Sequence, residues 1–394
     1  MEEQVQAKNK FVVPIGPQHP ALKEPGHFEF TVDGEIVVGA TVRLGYAHRG
    51  IEKGCEDRNW AQGMYLVERV CGICSHIHAM TFALGAEKLA NVTAPPRAQA
   101  IRLLVGELER IHSHMLWLGV QAHEGGFDTL FMYTWRDRET VMDLLEMLTG
   151  NRVNYSANVL GGVKCDVTDP IASEILKGMD FLEQRARYYL DIVSTDETFL
   201  GRTRDVGTMT KEQALRIGAI GPTGRASGLE RDVRLNAPYA GYVDFPIKVV
   251  TEQGGDLLAR TLVRVKELFE SIRLIREVLD KLPPGEISVR MPRRVPEGAV
   301  VSRVEAPRGE VLYYMKSAGS DKPERIKIRT PSICNWATVM ATAVGHKLAD
   351  MPMLLAGIDP CFSCSDRSVK IVRRDDEQYM TWEALRQYGN GFYR

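Results

Sequence analysis

The sequence lacks an excess of charge of either sign. Among its 394 residues, 50 are Lys or Arg and 51 are Asp or Glu, a formal net charge of −1. That balance leaves no electrostatic footprint for nucleic acid or for an anionic membrane surface, so no nucleic-acid partner is expected. Long apolar runs are missing too. The longest uncharged helical stretch, Pro331 to Gly345, is too short to span a bilayer. The opening MEEQVQAKNK has none of the apolar character of a secretory leader. No internal repeat and no low-complexity linker interrupts the chain. With 44% hydrophobic and 26% charged residues, the composition is that of a soluble globular protein.

An even set of cysteines is also absent. There are seven, Cys55, Cys71, Cys74, Cys165, Cys334, Cys361 and Cys364. An odd count in an apparently cytoplasmic chain argues against a disulfide framework. Four of them form two C-x-x-C pairs, better read as metal ligands or a redox dithiol.

Elsewhere the pattern alternates between strand and helix signals. His27 to Val32, the turn Asp33-Gly34, and Glu35 to Leu44 predict a β-hairpin. From about Met80 to Gly150 the signal is helical. Pro95-Pro96 opens a run in which Ile101, Leu104, Val105, Leu108, Ile111 and Met115 recur at helical spacing. Further helices are predicted from about Asp128 to Leu148, from Asp169-Pro170 to about Val193, and from Asp256 to Leu282. Short strands are expected between Ile287 and Ile328, and a last helix from Pro331 to about His346. The architecture inferred is helix-dominated α+β, a central helical bundle with small β-sheets at its periphery. One domain over 1–394 is expected. It comprises an N-terminal β-hairpin region near 10–50, a helical core near 80–350, and a C-terminal metal-ligand segment and tail over 351–394.

The first cysteine pair stands in Glu68-Arg-Val-Cys71-Gly-Ile-Cys74-Ser-His-Ile-His78, the second in Ile358-Asp359-Pro360-Cys361-Phe-Ser-Cys364-Ser-Asp-Arg367. Four thiolates make a soft, electron-rich site suited to zinc, iron–sulfur or nickel. A structural zinc is the plain alternative. Zinc ribbons, however, draw their pairs from nearby hairpins, and these lie 287 positions apart (361 − 74). A thioredoxin-like dithiol fits less well, because neither pair follows a βαβ pattern.

With these motifs in order, the chain resembles the large subunit of nickel–iron (NiFe) hydrogenases, specifically the membrane-associated, energy-converting group related to the 49-kDa subunit of respiratory complex I. The resemblance covers nearly the whole chain. It includes Gly16-Pro-Gln-His-Pro20, Gly45-Tyr-Ala-His-Arg-Gly-Ile-Glu52-Lys53, Arg69 to Cys74 and Glu107-Leu-Glu-Arg-Ile111. It continues through Gly221-Pro-Thr-Gly-Arg-Ala-Ser-Gly228, Ala306-Pro-Arg-Gly-Glu310, Arg329-Thr-Pro-Ser332 and Asp359 to Cys364.

The resemblance implies a hydrogenase-like fold and a nickel–iron centre whose iron carries carbon monoxide and cyanide. Cys71 and Cys361 match its terminal nickel ligands, and Cys74 and Cys364 the bridging ones. Cys361 would also serve as the base that takes a proton from dihydrogen, and Glu52 would relay that proton outward. Arg308 matches the arginine over the open metal position, held there by Asp359. It acts as an electrostatic partner rather than a base, since guanidinium deprotonation is costly. Pro331 and Ser332 match the surroundings of the cyanides, and a plain helix start accounts for them equally well. His78 matches a histidine that hydrogen-bonds a bridging sulfur.

Other residues carry weaker expectations. Read from the residues alone, Glu52 could be a surface group pairing Lys53 or Arg49. His76, His112 and His114 read as structural, the last two because alternate positions on a helix face apart. Trp117 stands where some uptake hydrogenases carry an acid. Cys55, Cys165 and Cys334 read as buried or incidental thiols, and the stripe around Met340 as core.

As function, the resemblance implies interconversion of dihydrogen with protons and electrons. The electrons pass to a small iron–sulfur subunit and on to ferredoxin. Integral membrane subunits of a complex I-like, antiporter-like module would couple the reaction to ion translocation, from a cytoplasmic position on the inner face of the membrane. The iron–sulfur clusters would sit in partner subunits only. The complex I relative has lost the cysteine pairs and uses the cavity for quinone, through a loop that His19 matches. In a sulfur-reducing relative the ligand cysteines are altered. The alternatives are therefore a quinone- or sulfur-reducing homologue, or a structural subunit with a zinc or empty site. In many family members a protease cuts just after the position of Arg367; here the tail, Ser368 to Arg394, is expected to be retained.

Overall fold

At the N-terminal end of the computed structural model, which describes residues 10–366, 369–373, 376–380 and 382–392, three strands form an antiparallel sheet. They are β1 (Lys10–Ile15), β2 (His27–Asp33) and β3 (Ile36–Arg43), in the order β1-β2-β3. The β2–β3 hairpin turns at Asp33-Gly34 as predicted, with Gly34 in the left-handed region at φ 62. Strand β1 was not anticipated. It is an edge strand with Lys10 to Val12 all exposed and Pro14 within it, so it shows neither the alternation nor the continuous donors of a central strand. Phe28, Phe30 and Val32 on β2 are buried. Phe28 meets the rings of Trp336 and Phe362 far along the chain, and this packing draws the two ends together.

Seven helices make the body: α1 (Ile51–Glu56), α2 (Trp60–Glu68), α3 (Ser75–Ala90), α4 (Pro96–Glu124), α5 (Asp128–Thr149), α6 (Asp169–Thr195) and α7 (Leu257–Asp280). Local chemistry sets their limits. Asn59 and Gln62 form a capping box on α2. Pro96 starts α4, Gly150 ends α5 in the left-handed region, and the Asp256 carboxylate caps α7. The helical signal expected from Met80 to Gly150 resolves into three helices, broken at Asn91 (φ 53) and at Gly125–Phe127. Helix α4 is almost wholly buried and packs against α3, α5 and α7. Between Glu197 and Val243 the chain runs through short helical turns that no periodicity announced.

A second antiparallel sheet, β4 (Gly298–Ala306), β5 (Gly309–Ser317) and β6 (Pro323–Arg329), lays Val304, Val311, Tyr313 and Met315 against α3. The approach is close at Gly85, where an added Cβ would lie 2.5 Å from the Met315 sulfur. Helix α8 (Pro331–Ala343) ends before the expected His346 because Val344 turns extended. Helices α9 (Met351–Gly357) and α10 (Phe362–Ser365) follow, then a hairpin of Val369–Arg373 with Asp376–Met380, and a helix over Trp382–Phe392. The expected processing point between Arg367 and Ser368 lies outside the described residues. No helix among the described residues is long and apolar enough to cross a membrane.

Candidate metal centre

Cys71 and Cys74 lie on the turn between α2 and α3, and Cys361 and Cys364 on the loop into α10 and on α10 itself. All four are at most 5% exposed. The Cys361 sulfur is 3.0 Å from that of Cys364 and 3.5 Å from that of Cys71. Cys74, Cys364 and a nitrogen of His78 form a second group within 4.8 Å. Residues 287 positions apart in sequence thus converge on one buried point.

Each cysteine pair is fixed by a carboxylate that sequence reasoning missed. Glu109 of α4 accepts from the backbone N–H groups of His76 (2.7 Å) and Ile77 (3.2 Å), capping α3 just past Cys74. Glu24, on the β1–β2 loop, accepts from the N–H groups of Phe362 (2.7 Å) and Ser363 (3.2 Å) and from the Ser363 hydroxyl. The Thr330 hydroxyl donates to the Cys364 carbonyl, and the Cys361 N–H donates to the Ser332 oxygen at 3.0 Å. Ser332 therefore faces the centre with its own O–H still able to donate, while Pro331 starts α8 as the plain expectation had it.

Arg308 reaches the sulfurs from the β4–β5 turn. Its Nε donates to the Asp359 carbonyl (2.8 Å), its Nη2 to the Asp359 carboxylate (2.7 Å) and its Nη1 to the Ser113 hydroxyl (3.4 Å). Although burial opposes it, the charges of Asp359 and the thiolates hold the guanidinium firmly protonated. Asp359 sits in the left-handed region at φ 56, a strained setting its Arg308 contacts sustain. The turn itself is braced by Gly221, where an added Cβ would come within 2.3 Å of the Arg308 carbonyl. A side chain at position 221 would therefore collide with the backbone that carries Arg308.

His78 donates or accepts at the Cys364 sulfur (3.8 Å) through Nε2, with Nδ1 on the Tyr313 hydroxyl at 2.7 Å. Glu52 is partly buried. It accepts from the Ile328 N–H at 2.9 Å and pairs with Lys327 at 3.5 Å. The partners imagined for it are engaged elsewhere: Lys53 with Glu56, and Arg49 with the carbonyls of Arg69 and Val70. Glu52 lines a cavity of about 50 Å³ with His48, Val70, Ser363 and Asp366, which sit directly beside the cysteine segments.

The remaining expectations divide cleanly. His76 is a satisfied core histidine between the Arg102 carbonyl and Asn158. His112 bonds the Ile73 carbonyl and His114 the Glu267 carboxylate, facing apart as expected. Cys55 is buried and pushed up to about 12 by desolvation, an inert thiol, and Cys165 and Cys334 are half-buried. Met340 packs against the core around Trp336. Trp117 donates to the Ala356 carbonyl, and the Arg264 guanidinium lies 4.1 Å over its ring. His19 is exposed on the β1–β2 loop.

The donor set has a definite chemical bias. Hydrogen bonds from Cys361, Cys364 and Cys74 pull the Cys71 thiol well below its usual range, while burial and the bonds it donates push Cys364 well above. A soft metal bound by the four sulfurs would displace the thiol protons. Four inward-facing sulfurs fit nickel–iron, and by donor type alone they fit zinc as well. The surroundings differ between such sites. A cavity of about 420 Å³, lined by Leu22, Val120, Phe131 and Leu355, reaches Cys71, Cys361 and Arg308. Structural zinc sites are closed, whereas catalytic centres keep an open side.

Comparison with known proteins shows the family. Residues 124–294 and 288–367 match the family described as "Respiratory-chain NADH dehydrogenase, 49 Kd subunit", and residues 49–120 match "Nickel-dependent hydrogenase". The chain is 41% identical to the membrane-bound hydrogenase subunit alpha of Pyrococcus furiosus, over 95% of this chain and 91% of that protein. It is 38% identical to the carbon monoxide-induced hydrogenase of Rhodospirillum rubrum, over 91% and 99%. Among solved structures, a chain of the membrane-bound sulfane sulfur reductase (MBS), an archaeal respiratory membrane complex, superposes with a TM-score of 0.87. That match has 32% identity and covers 91% of this chain and 99% of that one.

Proposed function

The chain belongs to the family that unites NiFe-hydrogenase large subunits with the 49-kDa subunit of complex I, and on that premise we propose that it is the catalytic large subunit of an energy-converting NiFe-hydrogenase. The observation that carries this reading is the cluster of four buried cysteine sulfurs, two of which, Cys71 and Cys361, line an apolar cavity together with Arg308. Cys71, Cys74, Cys361 and Cys364 hold the nickel–iron centre. When bound, that centre supplies the two-electron chemistry of dihydrogen.

The chain's own residues do the rest. The apolar cavity admits a small uncharged molecule and disfavours water. Arg308, kept charged and aimed by Asp359, stabilises negative charge at the open side of the site. Cys361 takes up the proton on its sulfur, and Glu52 passes it to the cavity beside His48 and Asp366. Ser332 and the α8 N-terminus donate hydrogen bonds to anionic ligands, and His78 steadies the Cys364 sulfur. Electrons leave to a small iron–sulfur subunit and on to ferredoxin. Membrane subunits couple the reaction to ion translocation, with this chain peripheral on the cytoplasmic face. We read residues 1–394 as one domain with a retained tail; a native subunit whose intact mass ends at Arg367 would contradict the latter.

The structural match to a sulfane sulfur reductase favours one second reading, a sulfur- or quinone-reducing subunit in the same kind of assembly. Nickel per chain, by elemental analysis of anaerobically purified complex, tests the proposal first. About one nickel, with viologen-coupled hydrogen uptake, supports it. Nickel without hydrogen uptake transfers the assignment to the second reading, and zinc or no metal transfers it to a structural role.

A further inference from the structure

The turn that carries the first cysteine pair belongs to no helix or strand, and side chains from outside hold its backbone. Ahead of Cys71, Arg49 donates to the Arg69 and Val70 carbonyls at 2.5 and 2.9 Å. Beyond Cys74, Glu109 accepts from the N–H groups of His76 and Ile77. Between the two cysteines the hold is His112 of α4, whose Nε2 lies 2.9 Å from the Ile73 carbonyl.

A neutral histidine ring carries its hydrogen on either nitrogen, and here the surroundings decide which. Nδ1 of His112 lies 3.1 Å from Nε of Arg138, and a guanidinium nitrogen has only a hydrogen to offer. Nδ1 is therefore the acceptor, and Nε2 must carry the hydrogen that goes to Ile73. His112 is wholly buried. Burial first, and the Arg138 charge second, draw it down to about 3, so the ring stays neutral and keeps this tautomer. Arg138 itself is 12% exposed, with no carboxylate nearer than Glu139 at 4.0 Å among the described residues. Its charge polarises the ring and strengthens the N–H on the far side.

Arg138 stands on α5 one turn beyond Trp135, and its guanidinium lies 5.9 Å from that ring. Trp135 and Phe131 wall the apolar cavity together with Gly72 and Ile73. A short chain of contacts thus joins the cavity wall, helix α5 and the peptide between the cysteines. Because a peptide is planar and trans, holding the Ile73 oxygen also fixes the plane from which Cys74 departs.

We propose that His112, fixed as a neutral Nε2–H donor by Arg138, is a positioning residue for the first cysteine pair and sets where the Cys74 sulfur stands relative to that of Cys71. Without it the Ile73 carbonyl loses its donor, and the turn relaxes into more than one arrangement. That the sulfurs hold a nickel–iron centre rests on the reading above; the hold on the peptide does not.

The test uses the intact complex with His112→Leu, His112→Gln and Arg138→Leu. A glutamine amide supplies a donor for Ile73 and an acceptor for Arg138, so it restores what leucine removes. Where wild type carries nickel, the infrared bands of the carbon monoxide and cyanide on iron report the placement of the sulfurs. His112→Leu should move these bands, and His112→Gln should return them to the wild-type positions. Arg138→Leu frees the ring to adopt either tautomer and should show wild-type and moved bands together. Hydrogen uptake per nickel should fall roughly tenfold in His112→Leu, the lower edge for a group behind a metal ligand. General loosening lowers nickel content and leaves the bands of the loaded fraction in place. Wild-type bands alone in either leucine variant, or a shift that glutamine fails to reverse, therefore overturn the proposal. Where wild type carries zinc or no metal, the hydrogenase reading fails, and the same variants are read by cysteine alkylation resolved by mass spectrometry. His112→Leu should then speed labelling of Cys71 and Cys74 relative to Cys361 and Cys364, with glutamine reversing the change. Equal acceleration at all four sulfurs, or none, overturns the proposal. If His112→Leu prevents assembly, Arg138→Leu carries either comparison in its place.

Discussion

Replacing Arg308 with lysine keeps the charge and removes the fork. The guanidinium is 2% exposed and spends two nitrogens on Asp359, one on its carbonyl and one on its carboxylate. A lysine ammonium is a single point and cannot meet both from the β4–β5 turn. One buried, charge-assisted hydrogen bond is therefore lost, about 1.5–3 kcal/mol. Were that loss expressed wholly where charge is being stabilised, the rate would fall roughly 10–150-fold. The positive charge that offsets the sulfurs remains, so nickel per chain should stay at the wild-type level. The assay is viologen-coupled hydrogen uptake by the intact complex, normalised to nickel. Activity within about twofold of wild type at full nickel loading would refute the view that the planar fork, rather than charge alone, aims this group.

Three further outcomes are expected. Glu52→Gln should lower hydrogen/deuterium exchange at least about a hundredfold, the scale of a lost proton-transfer group, with metal content unchanged; normal exchange would defeat the relay. Glu24→Gln weakens the acceptor that holds the Phe362 and Ser363 N–H groups, at about 1.5–3 kcal/mol for a charge-assisted bond. It should reduce both nickel per chain and melting temperature, and full loading would show that the second cysteine loop holds itself. Burial lowers His112 to about 3 and His114 to about 4, so the folded chain disfavours their charged forms. Their contribution is complete above the ordinary value near 6.5 and is lost as pH falls below it, about 2 kcal/mol for each at pH 5. Melting of the complex should therefore drop between pH 7 and pH 5, and a flat profile would contradict the assignment.

The long helices and the two cysteine pairs could be read from the sequence, because each announces itself locally, by apolar spacing or by a two-residue interval. Arg308 and Asp359 were legible as a pair only through family motifs, and the fold supplies the bonds between them. Glu24 and Glu109 were invisible. Each acts on backbone N–H groups of a segment remote in sequence, and no side-chain pattern advertises an acceptor for a main-chain donor. The partner of Glu52 was misjudged for a related reason. Its neighbours in sequence point elsewhere, and the approach of β6 brings Ile328 and Lys327 to it. Strand β1 hid because an edge strand needs neither alternation nor an unbroken row of donors.

The attachment of the second cysteine loop has a bearing on the order in which the molecule is made. During synthesis the N-terminal parts of a chain fold first. Everything up to α9 contains only half of the sulfur set, with Glu24 waiting on an early loop, Thr330 at the start of α8 and Ser332 in its first turn. Cys361 to Ser365 is then the closing piece, seated by acceptors and donors already in place on those segments. A nascent chain stopped short of Cys361 is an open receptacle with Cys71 and Cys74 at its floor. The buried cluster of four sulfurs is thus complete only once this last-made segment docks, and until then the first cysteine pair stands without its counterpart.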